Sequence, residues 1–404
     1  MLSRKLKDDF YWVGMLDPDL EVFDIIMYTE FGTSYNSYIL KGRDKTVLFE
    51  ASKTKMFDEY MAKINEIVPF EEIDFLVCNH TEPDHSGSIE KMLEVNPNLQ
   101  IVATKGALNF LAEITNKNIN GMAVKDGDEI SIGNKTLKFI VVPNLHWPDS
   151  MFTYIPEDNI LVSCDVFGAH YSHAGIINDE ALPQDDYMKA ARYYFDCIFA
   201  PFKADVLKAC DKISDFEIEI VANGHGPVIV NNPNEIIETY KKWASEPMRN
   251  DKKTVVIPYV SAYGYTQMLA ESIRDGILST CEVDVKLFDM ITENHDEVMG
   301  EIYLSDGILL GTPTLVGDAL PPIWNIATSL NSKIHGGKFV GVFGSYGWSG
   351  EGVPNIMNRL RQLKVTIVGE GMRVRFKPNE ENLTQAYEYG KQFAKTILAG
   401  KLID

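Results

Sequence analysis

The sequence predicts a two-domain α/β protein whose second domain is a doubly wound parallel sheet of five strands. Three observations predict it. Five apolar, β-branched runs alternate with helical patterns across the last third of the chain, the signature of strand–helix–strand units. The first half instead carries shorter strand signals, some joined across charged turns, followed by loops rich in His and acidic residues. Between them lies a polar, Pro-containing stretch, Ala-Ser-Glu-Pro-Met-Arg-Asn-Asp-Lys-Lys at 244–253, which reads as a linker or as a helix end and an entry loop. The expected domains are therefore 1–250 and 254–404.

In the first half, strands are expected at Ser37–Leu40 and Thr46–Phe49, on either side of the charged turn Lys41–Lys45. A helix is expected near Lys55–Ile67 and an apolar strand at Ile73–Cys78. Further strands are expected at Leu99–Ala103, Leu137–Val142, Met151–Ile155 and Ile160–Cys164, and helices near Ser88–Val95, Ala107–Ile114 and Asp185–Ile198. The mixture implies some antiparallel neighbours. In the second half the expected strands are Thr254–Val260, Glu282–Phe288, Gly307–Leu310, Phe339–Gly344 and Thr366–Gly369. The helices between and after them are Thr266–Leu278, Asp296–Ile302, Pro322–Ser332, Gly352–Leu363 and Asn382–Ala399.

Composition narrows the function. The 38 basic and 58 acidic residues give a net charge of −20, which disfavours nucleic acid and anionic membrane as partners. Five cysteines (Cys78, Cys164, Cys197, Cys210, Cys281) include no C-x-x-C pair. That argues against a disulfide framework, a zinc ribbon or a rubredoxin-type centre and for a reducing cytoplasm. Met1–Tyr11 lacks an apolar signal core, and no apolar run approaches the roughly 20 residues of a membrane helix.

The strongest chemical signal is Asn79-His80-Thr81-Glu82-Pro83-Asp84-His85-Ser86-Gly87, with four potential metal ligands in six residues directly after an apolar strand. His146 (Leu-His-Trp-Pro-Asp-Ser), Asp165 (Ser-Cys-Asp-Val-Phe-Gly) and His225 (Gly-His-Gly-Pro) also follow strand-like runs. A sheet whose strand ends share one edge would gather all seven. By contrast His170, His173, His295 and His335, taken singly, read as surface or capping residues. The pattern resembles the metallo-β-lactamase motif His-x-His-x-Asp-His, with Glu82 in place of the second His. An added hard oxygen donor suits iron or manganese better than zinc, and one Asp, most naturally Asp165, can bridge two metals.

The second half opens with the strand Val255–Val260, then Ser261-Ala262-Tyr263-Gly264-Tyr265-Thr266 and a helix. A hydroxyl- and Gly-containing loop entering a helix N-terminus is an anion site. It matches neither G-x-G-x-x-G nor the P-loop. The loop resembles the flavodoxin phosphate loop, Ser/Thr-x-Ser/Thr-Gly-x-Ser/Thr, with Tyr263 departing from it. Two more loops follow strands at matching points: Thr312-Pro313-Thr314-Leu315 and Ser345-Tyr346-Gly347-Trp348-Ser349-Gly350. They would flank an isoalloxazine ring, with Trp348 able to stack on it.

Together the two halves resemble the flavodiiron proteins, or A-type flavoproteins, over nearly the whole chain. The resemblance implies an N-terminal metallo-β-lactamase-like αββα sandwich and a flavodoxin-like domain. It implies two Fe ions and one FMN. His80, Glu82 and His146 would bind one iron and Asp84, His85 and His225 the other, with Asp165 bridging. In some family members the histidine matching His85 turns away from iron. The implied activity is reduction of dioxygen to water, of nitric oxide to nitrous oxide, or both. A separate electron donor such as rubredoxin or a reductase is implied, as is a head-to-tail homodimer or dimer of dimers.

His170 and Tyr171, just past Asp165, are the candidate proton donors, with Trp147 and the pair Tyr193-Tyr194 as further neighbours of the site. Arg359, Arg361, Lys364, Arg373, Arg375 and Lys377 form a basic cluster in sequence near Trp348. They are a candidate docking patch for a small acidic redox protein, or else a solvated face. Two rival readings are a metal-dependent hydrolase of the same fold and a non-catalytic flavin electron carrier or gas sensor. Zinc on metal analysis favours the first, and a closed ligand set favours the second.

Overall fold

The computed structural model describes residues 3–24, 27–179, 181–247 and 250–402. The chain forms two compact units, Met1–Glu246 and Pro247–Asp404.

In the first unit a seven-stranded sheet runs Arg4–Lys7, Phe10–Trp12, Tyr38–Lys41, Thr46–Phe49, Phe75–Val77, Gln100–Thr104 and Gly121–Val124. Its first four strands are antiparallel neighbours and the rest pair in parallel. A second sheet orders Glu129–Ser131, Thr136–Val141, Met151–Ile155, Ile160–Cys164 and Ile220–Asn223. Period-2 alternation joins the sheets. Phe10, Trp12, Leu40, Val47, Phe49 and Val77 from the first pack with Leu137, Phe139, Met151, Ile160, Val162 and Ala222 from the second. The alternate residues Ile39, Leu48, Leu76 and Ile101 are also buried. Amphipathic helices such as Phe57–Ile67, which buries Tyr60 and Ile64, complete the αββα sandwich.

Two local features depart from the expectation. The strands Arg4–Lys7 and Phe10–Trp12 extend the sheet at an end where charged residues conceal the strand pattern. The helix expected over Asp185–Ile198 is regular over Gln184–Tyr194 and widens into a π-helical turn over Phe195–Phe199. Pro201, just beyond, has no N–H with which to continue the ladder.

In the second unit the sheet runs Asp284–Asp289, Thr254–Tyr259, Gly307–Gly311, Phe339–Tyr346, Thr366–Ile367, all parallel. The chain order across it is 2-1-3-4-5, the flavodoxin-like doubly wound order. The fifth strand position is broken. Gly369 and Gly371 take positive φ, and the chain resumes as Met372–Arg375, which pairs with the far end of Phe339–Tyr346. Each face has its own core, one around Ile308, Ile323 and Ile356 and the other around Ile257, Ile273 and Phe393.

Candidate functional site

All seven candidate metal donors of the first unit leave the ends of core strands. His80 and Glu82 lie two apart in the segment after Phe75–Val77, and Asp84 and His85 come from the short helix Pro83–Ser86, with Pro at its start. His146 follows Thr136–Val141, Asp165 follows Ile160–Cys164, and His225 follows Ile220–Asn223. Gly224 is required by close approach. A Cβ there would sit 2.8 Å from His85 Cε1, 3.1 Å from the Cys164 carbonyl carbon and 3.3 Å from Asp165 N.

The structure brings all seven donors together in two sets. His80, Glu82, His146 and Asp165 form one set, and Asp84, His85 and His225 another. In the first, Glu82 Oε2 lies 2.8 Å from His146 Nε2 and 3.3 Å from His80 Nε2. Asp165 Oδ2 lies 3.3 Å from His146 Nε2 and 3.5 Å from His80 Nε2. Asp165 Oδ1 turns the other way, 2.8 Å from His85 Nε2 and 3.5 Å from His225 Nε2. Asp84 Oδ2 completes that side, 3.1 Å from His225 Nε2 and 3.4 Å from His85 Nε2. One carboxylate thus divides its oxygens between two donor sets. His146 and Glu82 keep 21% and 15% of their side chains exposed, against 3% or less for the other five, so the site opens on their side.

The electrostatics suit cations. Burial opposes charging His80, but its carboxylate partners, Asp149 and Glu82 foremost, outweigh burial and raise it to about 10. The same contest raises His146 to about 10, through Asp165 and Glu82, and His85 to about 9, through Asp84 and Asp165. Burial resists ionisation of Asp165, yet the surrounding imidazoles hold it well below the carboxylate range. Oδ1 of buried Asp84 has no hydrogen-bond partner, and Oδ2 faces only the His225 and His85 ring nitrogens, an expensive arrangement unless a cation compensates it. Four imidazoles and three carboxylates, with nitrogen and hard oxygen on each side, fit a pair of iron or manganese ions, whose binding would expel the imidazolium protons.

The candidate flavin loops of the second unit sit at the carboxyl ends of Thr254–Tyr259, Gly307–Gly311 and Phe339–Tyr346, where the strand order reverses and such folds bind ligands. Gly264 takes φ +79° with open space around its missing Cβ, so it serves conformation rather than packing. The N-cap residue Gly264 has no side chain with which to cap the helix Tyr265–Leu278 that follows, leaving the first-turn N–H groups before Gln267 for an anion. Ser261 Oγ accepts from Gln267 N at 3.2 Å. Buried Thr266 joins two of the loops through its hydroxyl, 3.0 Å from Ser345 Oγ. Thr314 Oγ1 is occupied in accepting from Gly352 N at 3.1 Å. Ala262, Tyr263, Leu315 and Trp348 are exposed and Tyr265, Tyr346 and Gly347 partly so, while Pro313 is buried and Gly350 buried at φ +77°. A helix start with glycine at its N-cap, bridged hydroxyls and exposed aromatics fit a phosphate with an aromatic ring system attached.

Comparison with known proteins agrees on both halves. The ODP family beta lactamase model matches residues 33–226 and the Flavodoxin model residues 257–390. The "Flavo-diiron protein FprA2" of Clostridium acetobutylicum is 38% identical over 402 residues, covering 98% of this chain and 100% of that one. The chain belongs to the flavodiiron proteins. A relative from Moorella thermoacetica named "Nitric oxide reductase" is 33% identical, covering 97% of this chain and 98% of its own. The solved rubredoxin oxygen:oxidoreductase of Desulfovibrio gigas aligns at TM-score 0.75 and 25% identity, covering 98% of this chain and 99% of that chain. As a flavodiiron protein the chain is an oxidoreductase whose cofactors are two irons and FMN.

Around the flavodiiron donors, other polar and aromatic groups hold the imidazoles. His225 Nδ1 donates to Ser34 O at 2.6 Å, leaving Nε2 for the donor set. His170 is buried against Phe23, Tyr194 and His225, with Nδ1 2.9 Å from Thr33 Oγ1. Burial holds it well below the usual histidine range. Tyr171 points elsewhere, onto Phe31 and Tyr187. Trp147 meets His80 edge-on at 5.1 Å, and Tyr193 is exposed.

Sequence reasoning missed Asp149, Glu50, Asp24, Thr33 and Ser34. Asp149 Oδ2 lies 3.6 Å from His80 Nδ1 and accepts from Thr81 N and Oγ1 at 2.9 and 2.8 Å. Its position three residues after His146 was a usable signal. Buried Glu50 accepts from Asn79 N at 3.1 Å, and burial pushes it up to about 7. Burial and the neighbouring Glu82 raise Asp24 to about 6. Thr33 and Ser34 carry no sequence signal.

Proposed function

We propose that this chain reduces dioxygen to water, nitric oxide to nitrous oxide, or both, at a diiron site fed through FMN. The observation that carries the reading is Asp165, with one carboxylate oxygen turned to each donor set. Bound there, two ferrous irons supply two electrons and open positions for the gas, and a reduced FMN supplies two more, which meets the four that dioxygen requires.

His80, Glu82 and His146 are assigned to one metal, Asp84, His85 and His225 to the other, and Asp165 to both. Ser34 O fixes His225 by a hydrogen bond, and the Asp149 carboxylate faces His80 Nδ1 at 3.6 Å. Phe23, Trp147 and Tyr194 keep the imidazoles dry, which strengthens every charge contact among them. Of the two proton-donor candidates, His170 lies against the cluster and Tyr171 does not.

In the second unit the loops 261–266, 313–315 and 345–350 are assigned to FMN. An external electron donor belongs to the reading, as does the head-to-tail homodimer implied by the resemblance. A fully active monomer on sedimentation would exclude that dimer. Among the described residues no helix is long and apolar enough to cross a membrane. None of the five cysteines forms a disulfide, which supports a reducing cytoplasm.

The test is anaerobic turnover of iron- and FMN-loaded protein with excess reduced rubredoxin, following added dioxygen or nitric oxide at a gas electrode. Consumption of either gas, lost in Asp165→Ala, is the expected result. If neither gas is consumed although the flavin is fully reduced, the reading fails.

A further inference from the structure

The strand Ile160–Cys164 ends irregularly. Its pairing with Ile220–Asn223 shifts register between Val162 and Cys164. Cys164 takes φ +47°, a left-handed backbone that few residues other than Gly adopt. In a regular strand running on through Asp165, successive side chains would leave opposite faces. A break in register re-aims a side chain, and here it brings both residues to one cluster. One ligand atom each from His85, Cys164 and Asp165 lie within 4.8 Å of one another, and all three residues are buried. Gly224 N ties this strand end down by donating to Cys164 O at 2.6 Å.

His85 is the donor that can serve two sets. Its ring is wholly buried, yet Nδ1 has no hydrogen-bond partner. His225 Nδ1 donates to Ser34 O, and His80 Nδ1 faces the Asp149 carboxylate. Those two rings have a group behind them that sets their orientation, and His85 has none. His85 belongs to one group with Asp84 and His225 and to another with Cys164 and Asp165. The two groups differ in softness. The first offers imidazole nitrogen and carboxylate oxygen, and the second adds a sulfur.

We propose that His85, Cys164 and Asp165 form a third cation position, which takes a thiophilic divalent ion such as zinc. The inference rests on reading the cluster as a two-metal site. His85 and Asp165 are shared, so this position and the iron assigned to Asp84, His85 and His225 exclude each other. Three protein ligands leave the fourth tetrahedral place to water, and the thiol gives up its proton as the ion binds. Zinc outbinds ferrous iron at most nitrogen–oxygen sites, and a thiolate widens that gap. Asp84 Oδ2 and His225 Nε2 face each other at 3.1 Å, so the donors such an ion leaves behind can pair with one another. Cys164 thus makes the second iron position the one at which zinc enters.

The test is zinc-edge X-ray absorption on the full-length, FMN-loaded protein, stripped of iron and given two zinc ions per chain. Zinc–sulfur bonds of about 2.3 Å stand apart from zinc–nitrogen and zinc–oxygen bonds of about 2.0–2.2 Å. One sulfur for every two zinc ions is expected, since the other zinc takes His80, Glu82 and His146. Cys164→Ser should show no sulfur. Cys197→Ser/Cys281→Ser, which removes the two exposed thiols, should keep it. In the iron-loaded protein, added zinc should displace one iron per chain, and Cys164→Ser should need about tenfold more zinc to lose it.

Absence of sulfur in the native chain, or its persistence in Cys164→Ser, would overturn the proposal. So would equal displacement of iron by zinc in the two chains. Cys164→Ala is measured beside Cys164→Ser, because a buried hydroxyl without a partner destabilises where a methyl does not. Circular dichroism and thermal unfolding show which variant is folded. Counting iron keeps the two claims apart. Two irons per chain with no zinc–sulfur bond would defeat the proposal alone. A zinc–sulfur bond in a chain that never holds two irons would support the sulfur-containing position and defeat the two-metal reading.

Discussion

The two units keep their chemistry in opposite places. The first buries it: five of the seven donors have side chains 3% exposed or less, interlocked by carboxylate–imidazole contacts. The second displays it on loops whose aromatics face solvent. The difference follows from what each must hold. Two cations need several charged ligands in one small volume, and only a dry, rigid site keeps those ligands aligned. A phosphate and a ring that exchanges electrons with a partner need backbone N–H groups and an accessible edge.

The largest expected effect breaks the comparison cleanly. Asp165→Ala removes the carboxylate shared by both donor sets. Iron content should fall severely and gas consumption by about a hundredfold or more, while FMN stays bound at full stoichiometry. Metal analysis and flavin absorbance on the same sample check it. Parallel loss of FMN would mean that the units do not hold their cofactors independently.

The next effect concerns protons, and it sets the flavodoxin-like unit apart from the donor cluster. Burial, with a contribution from Lys338, lowers His335 to about 4 although Asn331 partly opposes the shift. Its folded value lies below the ordinary 6.5, so between those limits the unfolded chain binds the proton more readily. The stabilisation is therefore fully present above pH 6.5 and lost as pH falls towards 4, by up to about 3 kcal/mol. Hydrogen exchange in the strand Phe339–Tyr346, corrected for intrinsic pH dependence, should show this slope in the native chain and a flatter one in His335→Gln. Equal slopes would remove His335 from the account.

A moderate effect is expected at Asp149. Asp149→Asn keeps an oxygen for the Thr81 hydrogen bonds but removes the charge facing His80 Nδ1. Iron affinity should fall by roughly tenfold to a hundredfold, with the fold intact. Unchanged affinity on chelator titration would show that Asp149 serves only to hold the Thr81 backbone.

How much of this was legible in the sequence depended on distance along the chain. His80, Glu82, Asp84 and His85 announce themselves because one strand end carries all four. His146, Asp165 and His225 were readable because each follows an apolar run. Thr33, Ser34 and Asp24 reach the site only through tertiary folding, and a hydroxyl, a backbone carbonyl and a single Asp have no spacing to reveal them. The basic cluster failed in the reverse sense. Six basic residues within nineteen looked like one patch, but the fold places Lys364 and Arg373 at opposite edges of the sheet. The fifth strand of the second unit was legible in position but not in its break, since the two glycines around Glu370 act through positive φ.

The smallest expected effect probes the flavin side at Thr266. Its buried hydroxyl is 3.0 Å from Ser345 Oγ and joins the first loop to the third. Thr266→Val keeps the shape and removes the hydroxyl, which should weaken FMN binding by about tenfold, the worth of one or two hydrogen bonds. Ser345→Ala separates the two roles that hydroxyl can have. If it serves only to join the loops, each single variant and the double variant should lose the same affinity, because either change breaks the same contact. If it also donates to the flavin phosphate, Thr266→Val loses more than Ser345→Ala, and the double variant matches Thr266→Val. Fluorescence titration of the flavin-free protein with FMN distinguishes the two. The second result would mean that the exposed site, like the buried one, depends on a side chain fixed beforehand by a neighbour.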